Sequence, residues 1–206
     1  MTAYRLFNAV SRARTGIAIA ALSEAAGLLL GIALVHEGNA FALAQRDGLV
    51  RNAQRSSIGA SFGSGRRYEA ALLDAAGNLF VTATTAVSAP AVVTGAGFAF
   101  YRGWVGGIVS VDGNHHSRLA ALRSASYYVA AVILQSVPFV LAAGGGISIG
   151  LAMIGPYLGL KVRYAGGLIG PQSLRIPRDA VGDLLWIFSA AVPLILSASL
   201  FEFLAG

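Results

Sequence analysis

The longest stretch of this sequence without a charged side chain runs from residue 124 to residue 160, a total of 37 residues. A helix that crosses the hydrocarbon core of a bilayer needs about 20 apolar residues at about 1.5 Å of rise per residue. The run is therefore too long for one simple span, and it is interrupted at Pro138 and at three consecutive glycines, Gly144, Gly145 and Gly146. We expect a broken helix over residues 118–160, whose unwound backbone is buried in protein or lines a cavity, because lipid cannot satisfy free N–H and C=O groups.

The composition also indicates that lipid surrounds much of the chain. Hydrophobic residues make up 56% of the 206 residues and charged residues only 12%, whereas a soluble domain carries about 25% charged residues. Lipid is the environment that accommodates such an excess of apolar surface. We predict an all-α fold, a polytopic transmembrane helical bundle with about four to six membrane segments, some of them broken or re-entrant, in one domain over residues 15–206.

Three further apolar segments, residues 15–35, 75–101 and 183–204, have the length of a span. The 75–101 segment contains Pro90, which predicts a kink, and residues 102–112 are too short to span and suggest a re-entrant or interfacial piece. Residues 1–14 predict a short amphipathic helix that lies in the membrane interface. Residues 36–71 form a polar connection with partial helix, in which residues 56–65 have the composition of a flexible loop.

The distribution of arginine suggests an orientation and a set of partners. Three arginines precede the first span, which favours a cytoplasmic N-terminus; the five in the long first loop weigh less. The predicted location is the inner (cytoplasmic) membrane, with several spans. The net charge of +6 is interpreted as contact of arginines with anionic lipid head groups rather than with nucleic acid, since the sequence lacks a basic–aromatic patch.

A few polar residues fall inside or beside the apolar segments. Glu24 lies near the middle of the first span, where a charge is costly and requires a partner or a function. Arg102 and Asp74 flank the second span, and Arg102 is a candidate partner for Glu24 or for Glu202 near the chain end. Asn78, Pro138 and the glycines 144–146 are candidate positions for a helix break or for close packing.

No pattern for a metal, a cofactor or a catalytic set emerges. The chain has no cysteine, and the adjacent His115 and His116 point about 100° apart on a helix, so that a solvated loop is the better interpretation. There is no Gly-x-Ser-x-Gly elbow, and the glycine cluster is not followed by Gly-Lys-Ser/Thr. We expect a non-enzymatic protein with no cofactor and no metal.

The order of four motifs in residues 70–204 resembles the stage II sporulation protein M family of multi-helix membrane proteins. That family has an Asn-containing start to its second helix, an aromatic-Asn-Gly-x-x-x-Gly piece, a broken Pro-His-Gly-x-x-Glu-like helix followed by Ala-Gly-x-x-Gly-Leu, and a closing Pro-Leu-Leu-x-x-Ala-x-x-Glu helix. The matching stretches are residues 77–80 (GNLF), 101–107 (YRGWVGG, with Arg102 in place of Asn), 135–138 (QSVP) with 142–146 (AAGGG), and 192–202 (VPLILSASLFE). The His-Gly and the following Glu of the broken helix are missing.

The resemblance implies a membrane scaffold, since the namesake of the family resembles a scaffold for a peptidoglycan-remodelling complex, and it implies a bacterial or archaeal source. The leading hypothesis is a non-enzymatic membrane subunit that holds a larger assembly together with other membrane protein subunits. The alternative is a transport or permease subunit working with an ATPase or other partner, in which Glu24, Arg102 and the broken segment line a path. A permease requires a polar cavity, whereas a scaffold requires a packed, dry centre.

Overall fold

The computed structural model describes residues 2–111, 122–158, 164, 168–169 and 176–204. Seven α-helices occur in these residues: α1 (Thr2–His36), α2 (Ala40–Arg55), α3 (Ser57–Gly63), α4 (Arg67–Ser88), α5 (Val92–Val109), α6 (Leu122–Ile154) and α7 (Arg178–Leu204). A 3₁₀ turn, Gly155–Leu158, follows α6, and two-residue strands β1 (Leu168–Ile169) and β2 (Ile176–Pro177) pair antiparallel before α7. The predicted all-α helical bundle is confirmed.

Four of the described helices are long and apolar enough to cross a membrane, over Ala3–His36, Arg67–Ser88, Ser126–Tyr157 and Arg178–Leu204. They belong to α1, α4, α6 and α7. The fifth long helix, α5, has 18 residues, about 27 Å of helix, and packs along α1. This arrangement is compatible with a protein that crosses the membrane several times.

The prediction of a separate interfacial helix over residues 1–14 was wrong, because α1 continues without a break from Thr2 to His36. Leu6 and Val10 near its start pack toward α7, whereas Phe7 is 72% exposed. Ala9 and Ala13 are buried, and with Ile187 of α7 they form one hydrophobic cluster. The amphipathic pattern of this segment therefore reflects helix–helix packing.

The predicted single helix over residues 75–101 was also wrong. Pro90 separates α4 from α5 instead of kinking one helix, and a tight turn of residues 89–91 joins the two. Arg102, which was expected to open a short re-entrant piece, lies inside α5. Asp112, at the other end of that piece, lies outside the described residues, as do His115 and His116.

The expected break within residues 118–160 does not occur in the described part of that segment, since α6 is one α-helix from Leu122 to Ile154 with Pro138 inside it. A proline in a membrane helix is tolerated where neighbouring groups satisfy the backbone. Here Pro138 removes the helical donor of the Leu134 carbonyl, and the guanidinium of Arg102 donates to the adjacent carbonyl, the backbone oxygen of Gln135, 3.2 Å away. The three glycines are likewise helical and serve packing.

Each of the three consecutive glycines faces a different neighbouring helix. A side chain at Gly144 would overlap the backbone of Ile17 in α1, one at Gly146 would overlap the Ala86 carbonyl oxygen in α4, and one at Gly145 would meet Leu184 in α7. Successive residues of a helix point about 100° apart, so a helix in contact with three neighbours at one level needs three small residues in a row. This makes α6 the central helix of the bundle.

The connection between α1 and α4 is more ordered than its composition predicts. Asn39 caps α2 by accepting hydrogen bonds from the backbone N–H groups of Phe41 and Ala42, each at 3.1 Å. Ser56 caps α3 by accepting from the N–H of Gly59 at 3.1 Å. Residues 56–65, predicted as a flexible loop, therefore contain the helix α3, because serine and asparagine are strong N-cap residues.

Helices α1 and α5 meet through glycine backbones on both sides. Gly27 and Gly31 of α1 are four residues apart, as are Gly103 and Gly107 of α5, and a Cβ on any of them would meet the backbone of the other helix. Small residues at this spacing let membrane helices approach closely. We call these four positions the glycine seam.

Substitution in the glycine seam is expected to weaken the bundle. A Cβ at Gly103 would overlap the carbonyl oxygen of Glu24, whereas a Cβ at Gly97 of the same helix meets nothing within 4 Å. We expect Gly103→Ala to lower the free energy of unfolding in a denaturant titration by about 1–3 kcal/mol, the cost of overpacking. Gly97→Ala is the control and should be neutral or stabilising; equal effects of the two would contradict a close backbone contact.

Candidate functional site: a groove with a buried ion pair

A groove of about 590 Å³ lies between α1, α5 and α6. Its walls are mostly apolar, with Ala21, Leu28, Val109 and Ile133 among them. Its polar side chains are confined to one group: Glu24, Arg102, Gln135 and Ser136. The volume falls in the range of ligand pockets, about 300–1,000 Å³, and apolar walls with a few polar groups are typical of such pockets.

The structure brings Glu24 and Arg102 together at this polar end. Oε1 of Glu24 lies 3.9 Å from Nε of Arg102, at the limit of an ion pair and beyond hydrogen-bond distance. Glu24 is only 7% exposed, and the Ser136 hydroxyl hydrogen-bonds to its carboxylate. Two buried atoms keep no hydrogen-bond partner among the described residues, namely Oε2 of Glu24 and Nε of Arg102.

Other contacts fix the guanidinium of Arg102 in place. Its Nη2 donates to the backbone oxygen of Gln135, and its Cζ lies 4.7 Å from the centre of the Phe139 ring, a cation–π distance. The glycine at 103 brings the α1 backbone against α5 directly beside it. Arg102 therefore lies next to Glu24 without a hydrogen bond to it, which is unusual for two buried opposite charges.

A second set of polar side chains lies on the other side of Arg102. The Asn78 amide and the Ser199 hydroxyl donate to Oδ2 of Asp74 at 2.8 and 2.7 Å, and the Gln135 amide donates to the Glu202 carboxylate. Arg102 interacts electrostatically with both Asp74 and Glu202 as well as with Glu24. A void of about 10 Å³ separates Arg102 from Asn78 and Pro138.

Together these residues form what we call the polar cluster, in which every long helix takes part: Glu24 (α1), Asp74 and Asn78 (α4), Arg102 (α5), Gln135 and Ser136 (α6), and Ser199 and Glu202 (α7). Three carboxyl groups face one guanidinium. Buried charges in a membrane face the bundle interior and are paired or mark a path for a polar group. In this cluster Asp74 and Glu202 accept hydrogen bonds, whereas Oε2 of Glu24 and Nε of Arg102, on residues that line the groove, have no partner among the described residues.

Of the residues singled out in the sequence, Glu24, Arg102, Asn78, Pro138 and Glu202 meet in or beside the polar cluster. Gly144, Gly145 and Gly146 lie farther along α6, at its contacts with three neighbouring helices. Sequence reasoning missed the side chain of Ser199, which resembles any other serine of an apolar helix. The spacing of the glycine seam was a detectable signal, because small residues four positions apart are typical of helix contacts in membranes.

A separate ion pair joins α1 to α7. Nε of Arg12 lies 2.7 Å from Oδ2 of Asp183 and Nη2 lies 2.5 Å from Oδ1, a bidentate geometry. Tyr164, outside the membrane-spanning helices, lies near this pair, and burial, followed by the charge of Asp183, raises the pKa of its phenol to about 12. Since the carboxylate is fully hydrogen-bonded, this pair is a structural connection rather than an open site.

The two partners of this pair are unequally buried, which predicts that removing one charge lowers the free energy of unfolding more than removing the other. The side chain of Asp183 is 5% exposed and that of Arg12 is 40% exposed. Arg12→Gln leaves a buried carboxylate without its charge partner and should cost about 3 kcal/mol of unfolding free energy. Asp183→Asn leaves an arginine that reaches water and should cost about 1 kcal/mol. Arg14→Gln, at an exposed position of the same helix, is the control, and a larger loss for Asp183→Asn than for Arg12→Gln would contradict the burial.

Among the described residues, no group of three or more His, Cys, Asp and Glu side chains is arranged to hold a metal ion. No family model, no curated protein and no solved structure matches this chain. The similarity to the stage II sporulation protein M family therefore stays a prediction. Within the structure, the four stretches that carry it contribute six of the eight members of the polar cluster: Asn78, Arg102, Gln135, Ser136, Ser199 and Glu202.

Proposed function

We propose that this protein is a transport subunit that lets an amphipathic molecule cross the membrane along the groove between α1, α5 and α6. The observation that carries the proposal is the polar end of the groove, where the buried carboxylate of Glu24 and the partly buried guanidinium of Arg102 each keep an atom without a hydrogen-bond partner among the described residues. Ionisable residues at membrane depth are costly and mark paths for polar groups. The expected dry, packed centre of a scaffold does not account for this feature.

The chemistry of the groove selects the kind of molecule. Its walls offer apolar side chains, and its polar groups lie together near the middle of the apolar part of α1. A charged side chain at the bilayer centre costs about 2.5–3.5 kcal/mol on translocon insertion scales, and a polar head group faces a cost of the same kind. Polar protein groups at this depth lower the barrier for the head group, while the apolar walls accommodate its chain.

Closing the groove is expected to stop transport without unfolding the bundle. Gly106 lines the groove, and a Cβ there meets only Leu28 Cδ1 at 3.6 Å, an ordinary contact. In liposomes that contain the purified protein and phosphatidylcholine with an NBD group on one acyl chain, we expect the wild type to bring inner-leaflet label to the outer leaflet, where externally added dithionite, which does not cross the membrane, reduces it. Gly106→Leu should reduce this rate at least tenfold.

The matched control is Gly97→Leu, the same substitution at an exposed position of the same helix, which should keep the wild-type rate. A wild-type rate equal to that of protein-free liposomes would contradict transport. An equal rate for Gly106→Leu and the wild type would place any transport outside the groove.

A scaffold role is the second candidate, favoured by the surface of α2 and α3, which we call the arginine platform. Arg51 and Arg55 lie at exposed positions of α2, and Arg67, at the start of α4, lies over the Phe62 ring of α3. Two aromatic side chains of α2 and α3, Phe41 and Phe62, are 63% and 47% exposed. A basic surface with exposed aromatic rings fits anionic head groups or an acidic surface of another membrane protein subunit.

Reversing charge on the arginine platform tests this role. We expect a stoichiometric membrane protein to co-purify with the wild type in mild detergent and to be lost from the double variant Arg51→Glu and Arg55→Glu. The double variant with lysine at both positions keeps the charge and should retain the partner. Recovery of only a lone monomer in all three preparations would contradict the scaffold role and leave transport unaffected.

We also propose a location in an inner (cytoplasmic) membrane with the N-terminus in the cytoplasm, on the basis of the arginines that precede the apolar part of α1. Because α1 is a single helix, Thr2 and the arginine platform then lie on opposite sides. The chain has no cysteine, so single cysteines at Thr2 and Ala53 can be labelled with an impermeant maleimide. Labelling of Thr2→Cys from the outside of intact cells would show that the orientation is the opposite of the one proposed.

A further inference from the structure

We propose that the groove is selective for a zwitterionic head group that carries an ammonium with free N–H groups next to a phosphate, such as phosphoethanolamine on an apolar chain. The inference rests on the proposed transport function and adds the chemical class of the molecule transported. It is drawn from two buried atoms of residues that line the groove, Oε2 of Glu24 and Nε of Arg102, which have no hydrogen-bond partner among the described residues; the first is an acceptor and the second a donor.

The first of these atoms is Oε2 of Glu24, on a residue that is more than nine-tenths buried. A buried carboxylate oxygen without a donor loses the hydrogen bonds that it made to water, which is unfavourable, and more so for a charged group. The neighbouring helices offer it no N–H group among the described residues. An ammonium that enters the groove supplies the missing donor.

The second atom is Nε of Arg102, a donor that has no acceptor although a carboxylate oxygen lies 3.9 Å away. The guanidinium cannot turn freely toward Glu24, since its Nη2 donates to the Gln135 carbonyl oxygen and its plane lies against the Phe139 ring. A phosphate oxygen is the acceptor that arginine binds best, because the bond is charge-assisted on both sides.

A head group with only one charge can bind one of the two protein groups, but it is repelled by the charge of the other. An anion that reaches Arg102 also approaches the carboxylate of Glu24, and a cation that reaches Glu24 also approaches the guanidinium. Like charges brought together in a site of low dielectric are costly and suppress the wrong partner. A zwitterion pairs each protein charge with its opposite, and the adjacency of Glu24 and Arg102 matches two opposite charges carried on one head group.

The experiment compares four lipids with identical acyl chains, whose head groups are phosphoethanolamine, phosphocholine, phosphoglycerol and trimethylammonium-propane. Binding of each lipid to the detergent-solubilised protein is titrated by native mass spectrometry. The part of the binding that is lost in Gly106→Leu but kept in the control Gly97→Leu is assigned to the groove. This subtraction leaves out lipid that binds the arginine platform. We expect phosphoethanolamine to bind the groove about tenfold more tightly than either singly charged lipid, with phosphocholine between them because it lacks N–H donors.

Charge removal should shift the preference in opposite directions. Glu24→Gln removes the partner of the ammonium and should favour phosphoglycerol, whereas Arg102→Gln removes the partner of the phosphate and should favour the trimethylammonium lipid. Glu37→Gln, at an exposed position after α1, should leave the ranking unchanged. If Arg102→Gln does not fold, the ranking for the wild type decides the question alone.

The outcomes separate this inference from the function on which it rests. If phosphoglycerol or the trimethylammonium lipid binds the wild-type groove as tightly as phosphoethanolamine does, the inference on the head group is overturned while the groove remains a lipid site. If Gly106→Leu changes the binding of none of the four lipids, the groove is not a binding site and the proposed transport function fails with it.

Discussion

The direct contact between the backbones of α1 and α5 is the constraint on which the rest of this structure depends. Within a bilayer, lipid chains are as apolar as leucine, so helices associate through close contact and polar interactions rather than through the hydrophobic effect. The glycine seam brings the carbonyl oxygens of Glu24 and Leu28 against Gly103 and Gly107. These contacts fix the register of α1 against α5. Glu24 and Arg102, the residue before Gly103, are therefore held at the same level of the bundle.

The polar cluster and the glycine contacts support each other. Buried charges in a membrane need partners from several helices, and the cluster receives members from all five long helices. Those side chains reach each other only if the helices pack closely. The central α6 packs closely because Gly144, Gly145 and Gly146 contact α1, α7 and α4, respectively. The incomplete hydrogen bonding of Glu24 and Arg102 is then confined to the side that opens into the groove.

The sequence predicted the helical bundle correctly because charge-free runs of this length have only one suitable solvent. Its errors concern proline and glycine, whose effect depends on neighbours that the sequence does not show. Pro138 was expected to break α6, but the helix continues through it, with Arg102 of α5 hydrogen-bonded to the Gln135 carbonyl in the turn before the proline. Pro90 was expected to kink a helix, and it ends one instead.

The polar residues of the site were found because charges in apolar segments are rare. The Arg12–Asp183 pair, in contrast, depends on the register of α1 against α7, which no local pattern reveals.

Helix α5 divides its residues between two tasks. Gly103 and Gly107 face α1, while Val105, Gly106 and Val109 line the groove. Part of the contact between α1 and α5 is therefore backbone against backbone, whereas Val105 and Gly106 turn toward the groove. A substitution at Val105 or Gly106 therefore changes the wall of the groove without adding bulk to the glycine seam.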